Sequence, residues 1–164
     1  MATNFQTLKD LLAGPMQPGK LKWIGLRPGR DHAMLTPAHA DLVAGHGLAG
    51  DRYDTKSNGA RQVTLIAAEG LAAIASFLGR ERVSPELLRR NLVTEGINLQ
   101  ALKSRRFRIG ATLLETSGEC APCSRMEAVL GPGGYNAMRG FGGITARVLE
   151  GGVIRIGDEV TRAD

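Results

Sequence analysis

The amino-acid sequence predicts a mainly β (α+β) fold, a closed β-barrel with a few short flanking helices. Glycine is abundant, with 22 residues among 164, and much of it stands in clusters such as "GPGG", "RGFGG" and "EGG". These clusters punctuate short segments, most of which are apolar or alternating runs typical of strands. Because helical segments are few and do not alternate with the strands, a barrel is favoured over a βαβ sheet.

The predicted strands share a length of a few residues and a high content of apolar or alternating positions. They are "LKWIGL" (21–26), "QVTLIA" (62–67), "NLVTEG" (91–96), "RFRIG" (106–110), "ATLLETS" (111–117), "ITARVLEG" (144–151) and "VIRIGDEV" (153–160). The last two flank Gly151-Gly152, and a glycine pair can adopt the positive φ angles of a tight turn. We therefore expect these two segments to pair as a hairpin.

The predicted helices are fewer. One spans about Ala67 to Leu78, where apolar residues recur at helical spacing. A second opens at Ser84, a good N-cap residue, with Pro85 at the first helical position. A third follows the cysteines, where Ser124 and Glu127 fit the Ser-x-x-Glu pattern of a capping box.

Bulk composition indicates one globular domain over residues 1–164. The chain is 43% hydrophobic and 23% charged, which leaves enough apolar residues for a core. It contains no run of about 18 apolar residues, so we expect no membrane span. The start, "MATNFQTLKDLLAGPMQPGK", lacks the basic-then-apolar order of a secretory signal, which predicts a cytoplasmic protein.

The formal net charge of +5 favours an anionic partner without saying which one. The densest basic run, "KSRRFR" (103–108), contains one aromatic residue and leads into a predicted strand. Single-stranded nucleic-acid sites combine basic grooves with several stacking aromatics. The run is therefore interpreted as a solvated strand entry, and no nucleic-acid partner is expected.

The stretch "SGECAPCSRMEAVLG" (117–131) holds both cysteines of the chain, Cys120 and Cys123. Thiols stay reduced in the cytoplasm, which disfavours a structural disulfide. Cys123 stands just before a predicted helix, and the helix N-terminus together with Arg125 favours its thiolate form. A thiolate can act as a nucleophile or a metal ligand, whereas a buried cysteine can equally be an inert apolar residue.

The cysteine pair has two other interpretations. A zinc site needs about four Cys or His ligands, and the three histidines, His32, His39 and His46, all lie far upstream. A thioredoxin-like thiol-disulfide pair is closer, because "CAPC" precedes a helix. That fold needs a βαβ context which the sequence does not show, so this interpretation stays as an alternative.

Candidate anion-binding residues lie in glycine-rich turns and at the ends of predicted strands. The loop "HGLAGDRY" (46–53) leads into Asp51-Arg52, where backbone N–H groups and a guanidinium could converge on an anion; a plain surface turn is the alternative. Further candidates are Arg61, Arg90, Asn91 and Arg139.

These segments together form a recognisable pattern: "HGLAGDRY", "RQVTLIAAEG", "RRNLVTEGINLQAL", "RFRIGATLLETSGECAPC" and "MRGFGGITARVLEGGVIRIGDEV". In this order, over about 46–160, they resemble the MOSC family, the molybdenum cofactor sulfurase C-terminal domain, and specifically its small stand-alone bacterial members. The resemblance implies a barrel like that of the pyruvate kinase barrel domain.

The resemblance also implies a site. Cys123 matches the family's functional cysteine, whose thiolate in amidoxime-reducing relatives binds molybdenum beside a pterin dithiolene and oxo groups. Cys120 is then a neighbour that packs, tunes or protects it. The residues expected around the cofactor and its phosphate are Gly50, Asp51, Arg52, Arg61, Arg90, Asn91 and Arg139. Pyridoxal phosphate is not expected, because the N-terminal domain of the full sulfurase is not part of this sequence.

The first functional hypothesis is a molybdenum-dependent oxidoreductase that reduces N-hydroxylated small molecules with electrons from a separate protein. Protons would come from solvent or from Asp51, Glu69 or His46. The second is a sulfur carrier, in which Cys123 accepts a persulfide from a cysteine desulfurase. The third is a binding module that shields or delivers the molybdenum cofactor.

Overall fold

The computed structural model describes residues 6–55 and 58–164. Residues 1–5, the beginning of the segment assessed for a secretory signal, lie outside this description. The strands are β1 Gly19–Ile24, β2 His39–Val43, β3 Gly47–Leu48, β4 Val63–Ala67, β5 Leu92–Glu95, β6 Arg106–Ile109, β7 Thr112–Glu119, β8 Ile144–Glu150, β9 Gly152–Arg155 and β10 Glu159–Arg162. The helices are α1 Leu8–Leu12, α2 Ala68–Phe77, α3 Pro85–Leu88, α4 Ser124–Leu130 and α5 Gly134–Met138, with 3-10 turns at Arg52–Thr55 and Leu99–Leu102.

Seven of these strands close into a barrel in the order β1-β10-β6-β7-β8-β4-β5, which confirms the predicted fold class. Neighbouring strands are antiparallel except β4 and β5, which are parallel and joined through α2 and α3. The interior is filled by fully buried side chains such as Leu21, Leu65 and Phe107. Burying such large apolar side chains stabilises the barrel by about 1.5–3 kcal/mol each.

The hairpin predicted around Gly151-Gly152 is wrong. The segment 144–151 forms β8, which pairs with β4 and β7, whereas β9 pairs with β2 in a separate sheet of order β3-β2-β9. The segment 153–160 also divides, because β10 returns to the barrel. A Cβ on Gly151 would lie 2.4 Å from the Leu42 carbonyl oxygen, so the glycine permits a close crossing between sheets and not a tight turn.

Helices α2 to α5 pack on the outside of β4 and β5 and form a second apolar cluster that includes Ile66, Ile74, Leu88 and Met126. The helices predicted at Ala67–Leu78 and after Ser84 are confirmed as α2 and α3. The longest helix in the described part of the chain, α2, has ten residues, and no helix there is long and apolar enough to cross a membrane.

The helix predicted after the cysteines is α4, but its capping box is wrong. Cys123 and not Ser124 is the N-cap residue. The Glu127 carboxylate instead accepts hydrogen bonds from Gly133 N at 2.8 Å and Tyr135 N at 2.7 Å. Glu127 therefore ties the end of α4 to the start of α5, because the intervening glycine-rich turn brings two backbone N–H groups back onto it.

Candidate functional site

The two cysteines lie in a loop that connects β7 to α4, and their exposure differs sharply. Both are free thiols; Cys120 is 2% exposed, whereas Cys123 is exposed. Cys120 N donates to Gly143 O at 2.9 Å, and a Cβ on Gly142 would lie 2.2 Å from the Cys120 carbonyl oxygen. The loop is thus anchored at Cys120 by close backbone packing, and it presents Cys123 to solvent.

Arg90 anchors this loop through a hydrogen bond to its backbone. Its guanidinium is buried and donates to three carbonyl oxygens, those of Gly142 at 2.9 Å, Leu88 at 2.9 Å and Cys120 at 3.3 Å. These bonds join the end of α3, the cysteine loop and the segment before β8. Arg90 therefore positions the loop through backbone contacts, which is a different role from the direct cofactor contact that the sequence suggested.

The charge of Arg90 has no acidic partner, since no carboxylate within residues 6–55 and 58–164 forms a salt bridge with it. Burial is the main cause that lowers the pKa of Arg90, and the positive charge of Arg61 lowers it as well. Cys120 and Cys123, when ionised, raise it. A buried cation without a carboxylate favours a nearby anion. At this position the anion would be a cysteine thiolate or an anionic ligand.

A buried network lies on the other side of Arg90. Asp51 is 4% exposed and Asn91 is fully buried. Asp51 accepts from Arg27 N at 2.8 Å, from Arg27 Nη2 at 2.9 Å and from Asn91 Nδ2 at 3.1 Å. Asn91 Oδ1 in turn accepts from Thr64 N at 3.1 Å. The network fixes residues from four separate parts of the chain.

Asp51 is held in its ionised form. Burial alone would raise its pKa, but hydrogen bonds and the positive charge from Arg27, with help from the backbone N–H of Tyr53, outweigh burial, and the pKa is lowered. At neutral pH this carboxylate therefore carries no proton to donate. Its observed role is to orient Arg27.

Next to the network is a cavity of about 330 Å³, here called the cationic cavity, lined by Arg27, Arg52, Tyr53, Arg61 and Thr64. Three of these five residues carry guanidinium groups, the donors that best match phosphate and carboxylate geometry. Arg61 Nη2 also donates to Cys120 Sγ at 3.8 Å. Arg61 therefore lines the cationic cavity and also contacts the cysteine loop.

A further arginine, Arg89, lies near the arginines of the cationic cavity. Arg89 has φ +54°, in the left-handed region, and donates to two carbonyl oxygens in residues 29–32. Burial is the largest cause that lowers the pKa of Arg89; the positive charges of Arg125, Arg27 and Arg52 lower it further, and Asp31 opposes them. Arg89 therefore adds positive charge near Arg27 and Arg52.

The structure brings several of the predicted residues together. Asp51, Arg52, Arg61 and Asn91 meet at the cationic cavity or in the network behind it, and Arg90 meets the cysteine loop. Gly50 is exposed at φ +86° immediately before Asp51.

Other predicted residues lie elsewhere. Arg139 lines a separate cavity of about 210 Å³ together with Cys120 and Pro122. His46 is half-buried in the turn between β2 and β3, and Glu69 accepts from Gly96 N at 3.0 Å in the first turn of α2. Neither is among the residues that line the cationic cavity.

The sequence reasoning missed Arg27, which follows β1 in "LRPG". An arginine at a strand end, directly before a Pro-Gly turn, was a signal of the same kind as those used for Arg61 and Arg90. Arg125, expected to act on Cys123, instead contacts the Arg30 carbonyl at 3.3 Å and the Asp31 carboxylate at 3.7 Å.

The comparisons with known proteins agree with the fold. A family model described as MOSC domain matches residues 42–161. The chain belongs to the MOSC family. No curated protein matches the sequence of this MOSC domain.

Three solved structures resemble this MOSC domain. YuaD from Bacillus subtilis is 22% identical with a TM-score of 0.76, covering 88% of this chain and 94% of that one. YiiM from Geobacillus stearothermophilus is 16% identical with a TM-score of 0.69, covering 89% and 75%. YiiM from Escherichia coli is 19% identical with a TM-score of 0.67, covering 92% and 71%. At these identities the similarity concerns the fold alone.

Proposed function

We propose that this MOSC domain binds the molybdenum cofactor, with Cys123 as the thiolate ligand of the metal, and reduces N-hydroxylated compounds. MOSC domains are associated with this cofactor. The observation that carries the proposal is an exposed thiol in a loop anchored on a buried guanidinium, which has no carboxylate partner among the described residues, beside the cationic cavity.

The donor set fits such a cofactor. Within the described residues no three or more His, Cys, Asp or Glu side chains come together to hold a metal ion. A metal at Cys123 must therefore bring most of its ligands with it, as molybdenum does when a pterin dithiolene and oxo groups accompany it. A soft thiolate suits a metal that is already bound to sulfur.

The cationic cavity fits the phosphate end of the cofactor. The Asp51 carboxylate balances Arg27, and it lies behind the cavity and does not line it. Arg52 and Arg61 place two further guanidinium groups in the lining. Because Arg61 also contacts Cys120 Sγ, one ligand could engage the cavity and the cysteine loop together. Arg139, in the smaller cavity on the other side of Cys120, is a second candidate contact.

The proposed reaction consumes two electrons and two protons: R–NHOH + 2 e⁻ + 2 H⁺ → R–NH₂ + H₂O. When bound, the cofactor supplies the oxygen-abstracting redox chemistry. The electrons come from a separate electron-transfer protein. Cys123 is exposed, so solvent protons reach the loop, and Asp51 is ionised and does not supply one at neutral pH.

The test is elemental analysis of gently purified protein, with Cys123→Ser compared against the matched variant Cys120→Ser. We expect stoichiometric molybdenum in the wild type, loss of the metal in Cys123→Ser, and retention in Cys120→Ser. Molybdenum that persists in Cys123→Ser would contradict the assignment of the ligand. Circular dichroism checks that both variants fold.

Sulfur transfer is the second candidate function, favoured by the exposure of Cys123, which leaves the thiol accessible to another protein. The Cys123 thiolate would take the outer sulfur of a persulfide on a cysteine desulfurase and leave that enzyme with a free thiol. Mass spectrometry of metal-free protein distinguishes this from the other functions. One added sulfur on Cys123 supports sulfur transfer, whereas loss of two hydrogens across Cys120 and Cys123 supports a thiol-disulfide pair.

A further inference from the structure

A larger cavity, of about 440 Å³, lies against the 140–143 segment, and it is called here the apolar cavity. It is lined by Ala67, Glu69, Gly70, Gly96, Ile97, Asn98, Leu99, Gln100, Gly140, Phe141 and Gly143. Its volume falls in the range of about 300–1,000 Å³ that is typical of small-molecule sites. Neither the family assignment nor the proposed function gives it a role.

The floor and rim of the apolar cavity suit an aromatic ring. Ile97 and Leu99, which are 5% and 4% exposed, belong to the barrel core and form part of the wall. Phe141 stands at the rim, 39% exposed, with its ring 5.5 Å from that of Phe77 in an edge-to-face arrangement. A planar apolar ligand can extend this pair with another aromatic contact.

One acidic residue, Glu69, lies at the rim of the apolar cavity. Among the described residues that line the apolar cavity, Glu69 is the only ionisable side chain. Its Oε2 accepts from Gly96 N at 3.0 Å, which fixes the carboxylate at the edge of the cavity. The arginines of the cationic cavity are not part of this lining. The apolar cavity therefore complements a ligand with a positive charge, in contrast to the cationic cavity.

The apolar cavity adjoins the cysteine loop. The smaller cavity beside Cys120 and Arg139 shares Gln100, Gly140 and Gly143 with it. Gly140, Phe141 and Gly143 line the apolar cavity, and Gly142 and Gly143 contact the Cys120 backbone. A compound in the apolar cavity lies next to the loop that carries Cys123.

We propose that the apolar cavity binds a compact aromatic compound that carries one basic, positively charged nitrogen. The ring packs on Leu99 and Phe141, and the cation lies at Glu69. Binding itself does not depend on the proposed function; only the identification of this compound as a substrate or product of the cysteine site rests on it. Amines and amidines, the products of reducing N-hydroxylated compounds, belong to this chemical class.

The experiment titrates metal-free protein with benzylamine, with the isosteric neutral benzyl alcohol and with the anion benzoate, and follows backbone amides by NMR. We expect saturable shifts at residues 96–100 and 140–143, strongest for benzylamine and absent for benzoate. Glu69→Gln keeps an acceptor for Gly96 N but removes the charge. It should weaken benzylamine binding by about fivefold and leave benzyl alcohol unchanged.

Two variants serve as controls. Glu95→Gln removes an exposed carboxylate that does not line the apolar cavity, and it should leave all three affinities unchanged. Phe141→Ala should weaken both benzylamine and benzyl alcohol. Benzylamine that binds Glu69→Gln as well as wild type, benzoate that binds as well as benzylamine, or shifts that fall outside these segments would overturn the proposal. The molybdenum measurement on Cys123→Ser is independent of all three results.

Discussion

Replacing Asp51 with asparagine tests the central claim that a buried carboxylate orients the cationic cavity. From the described residues, the Asp51 side chain accepts five hydrogen bonds, three at Oδ1 and two at Oδ2. An asparagine can keep the three at Oδ1, which come from Arg27 N, Arg27 Nε and Asn91. Its NH₂ group then faces two donors, Arg27 Nη2 and Tyr53 N. The variant loses the charge and two hydrogen bonds without a change of shape.

The cost follows from burial and from the number of bonds lost. Hydrogen bonds to charged groups contribute about 1.5–3 kcal/mol each, and removing one partner of a buried ion pair costs about 3–5 kcal/mol. The Arg27 side chain is 16% exposed and can regain some hydration, so the lower end applies. We expect Asp51→Asn to lower the free energy of unfolding by about 3 kcal/mol and the Tm by roughly 6–12 °C.

The pH dependence gives a second, independent check. The pKa of Asp51 is lower in the folded protein than its ordinary value of 3.8. Its contribution to stability is therefore complete above that ordinary value and is lost as the pH falls through the lower, folded-state pKa. Urea unfolding should show the full difference between wild type and Asp51→Asn at pH 7 and a shrinking difference in acid.

The matched control is Asp41→Asn, an exposed carboxylate on β2. It should change the free energy of unfolding by less than about 0.5 kcal/mol. The reasoning fails if Asp51→Asn is as stable as the control at pH 7. It also fails if the difference between Asp51→Asn and wild type is the same at every pH.

Two further predictions concern the cysteine loop and the segment packed against it. In the native protein, iodoacetamide should modify Cys123 at least roughly tenfold faster than the buried Cys120. Mass spectrometry of the intact protein over time should show that Cys123→Ser removes the fast phase. Equal rates for the two cysteines would contradict the exposure assigned to them. Gly143 has φ +93°, and a Cβ there would lie 1.9 Å from Leu65 O, so Gly143→Ala should destabilise by more than about 2 kcal/mol in urea unfolding. Gly140→Ala, with φ +83° but no atom within 4 Å of its Cβ, should cost less, and a reversed order would contradict this.

Most strands of the barrel could be predicted from sequence because they carry their own local signals, whereas β10 was predicted as one strand with β9. Short runs such as 91–96 and 106–110 end at glycines, and the structure places a barrel strand in each. The pairing of the strands was harder to predict from the sequence. Residues 144–155 look like a hairpin, but the partner of β9 is β2, more than a hundred residues earlier. No local pattern specifies a contact over that separation.

The candidate site was predictable to a similar degree. The position of Cys123 before a helix and the glycine-rich approach to Asp51 are local features, and both were recognised. The contact of Arg27 with Asp51 joins residues 24 positions apart, and it exists only because β1 and the 46–53 loop meet at one end of the barrel. Local patterns identified candidate residue types, whereas the tertiary fold decided which arginine contacts Asp51 and which residues line the cationic cavity.

Three consecutive residues explain how the two halves of the site keep a fixed geometry. Arg89, in a left-handed conformation at the end of α3, donates to residues 29–32; Arg90 donates to the cysteine loop; and Asn91 donates to Asp51. β5 begins at the next residue, so all three extend from the end of a barrel strand. Sites held by rigid elements are more accurate than sites held by loops alone. The distance between the thiol loop and the cationic cavity is therefore set by the barrel before any ligand arrives, which is what the proposed binding of a rigid cofactor, with a metal at one end and a phosphate at the other, requires.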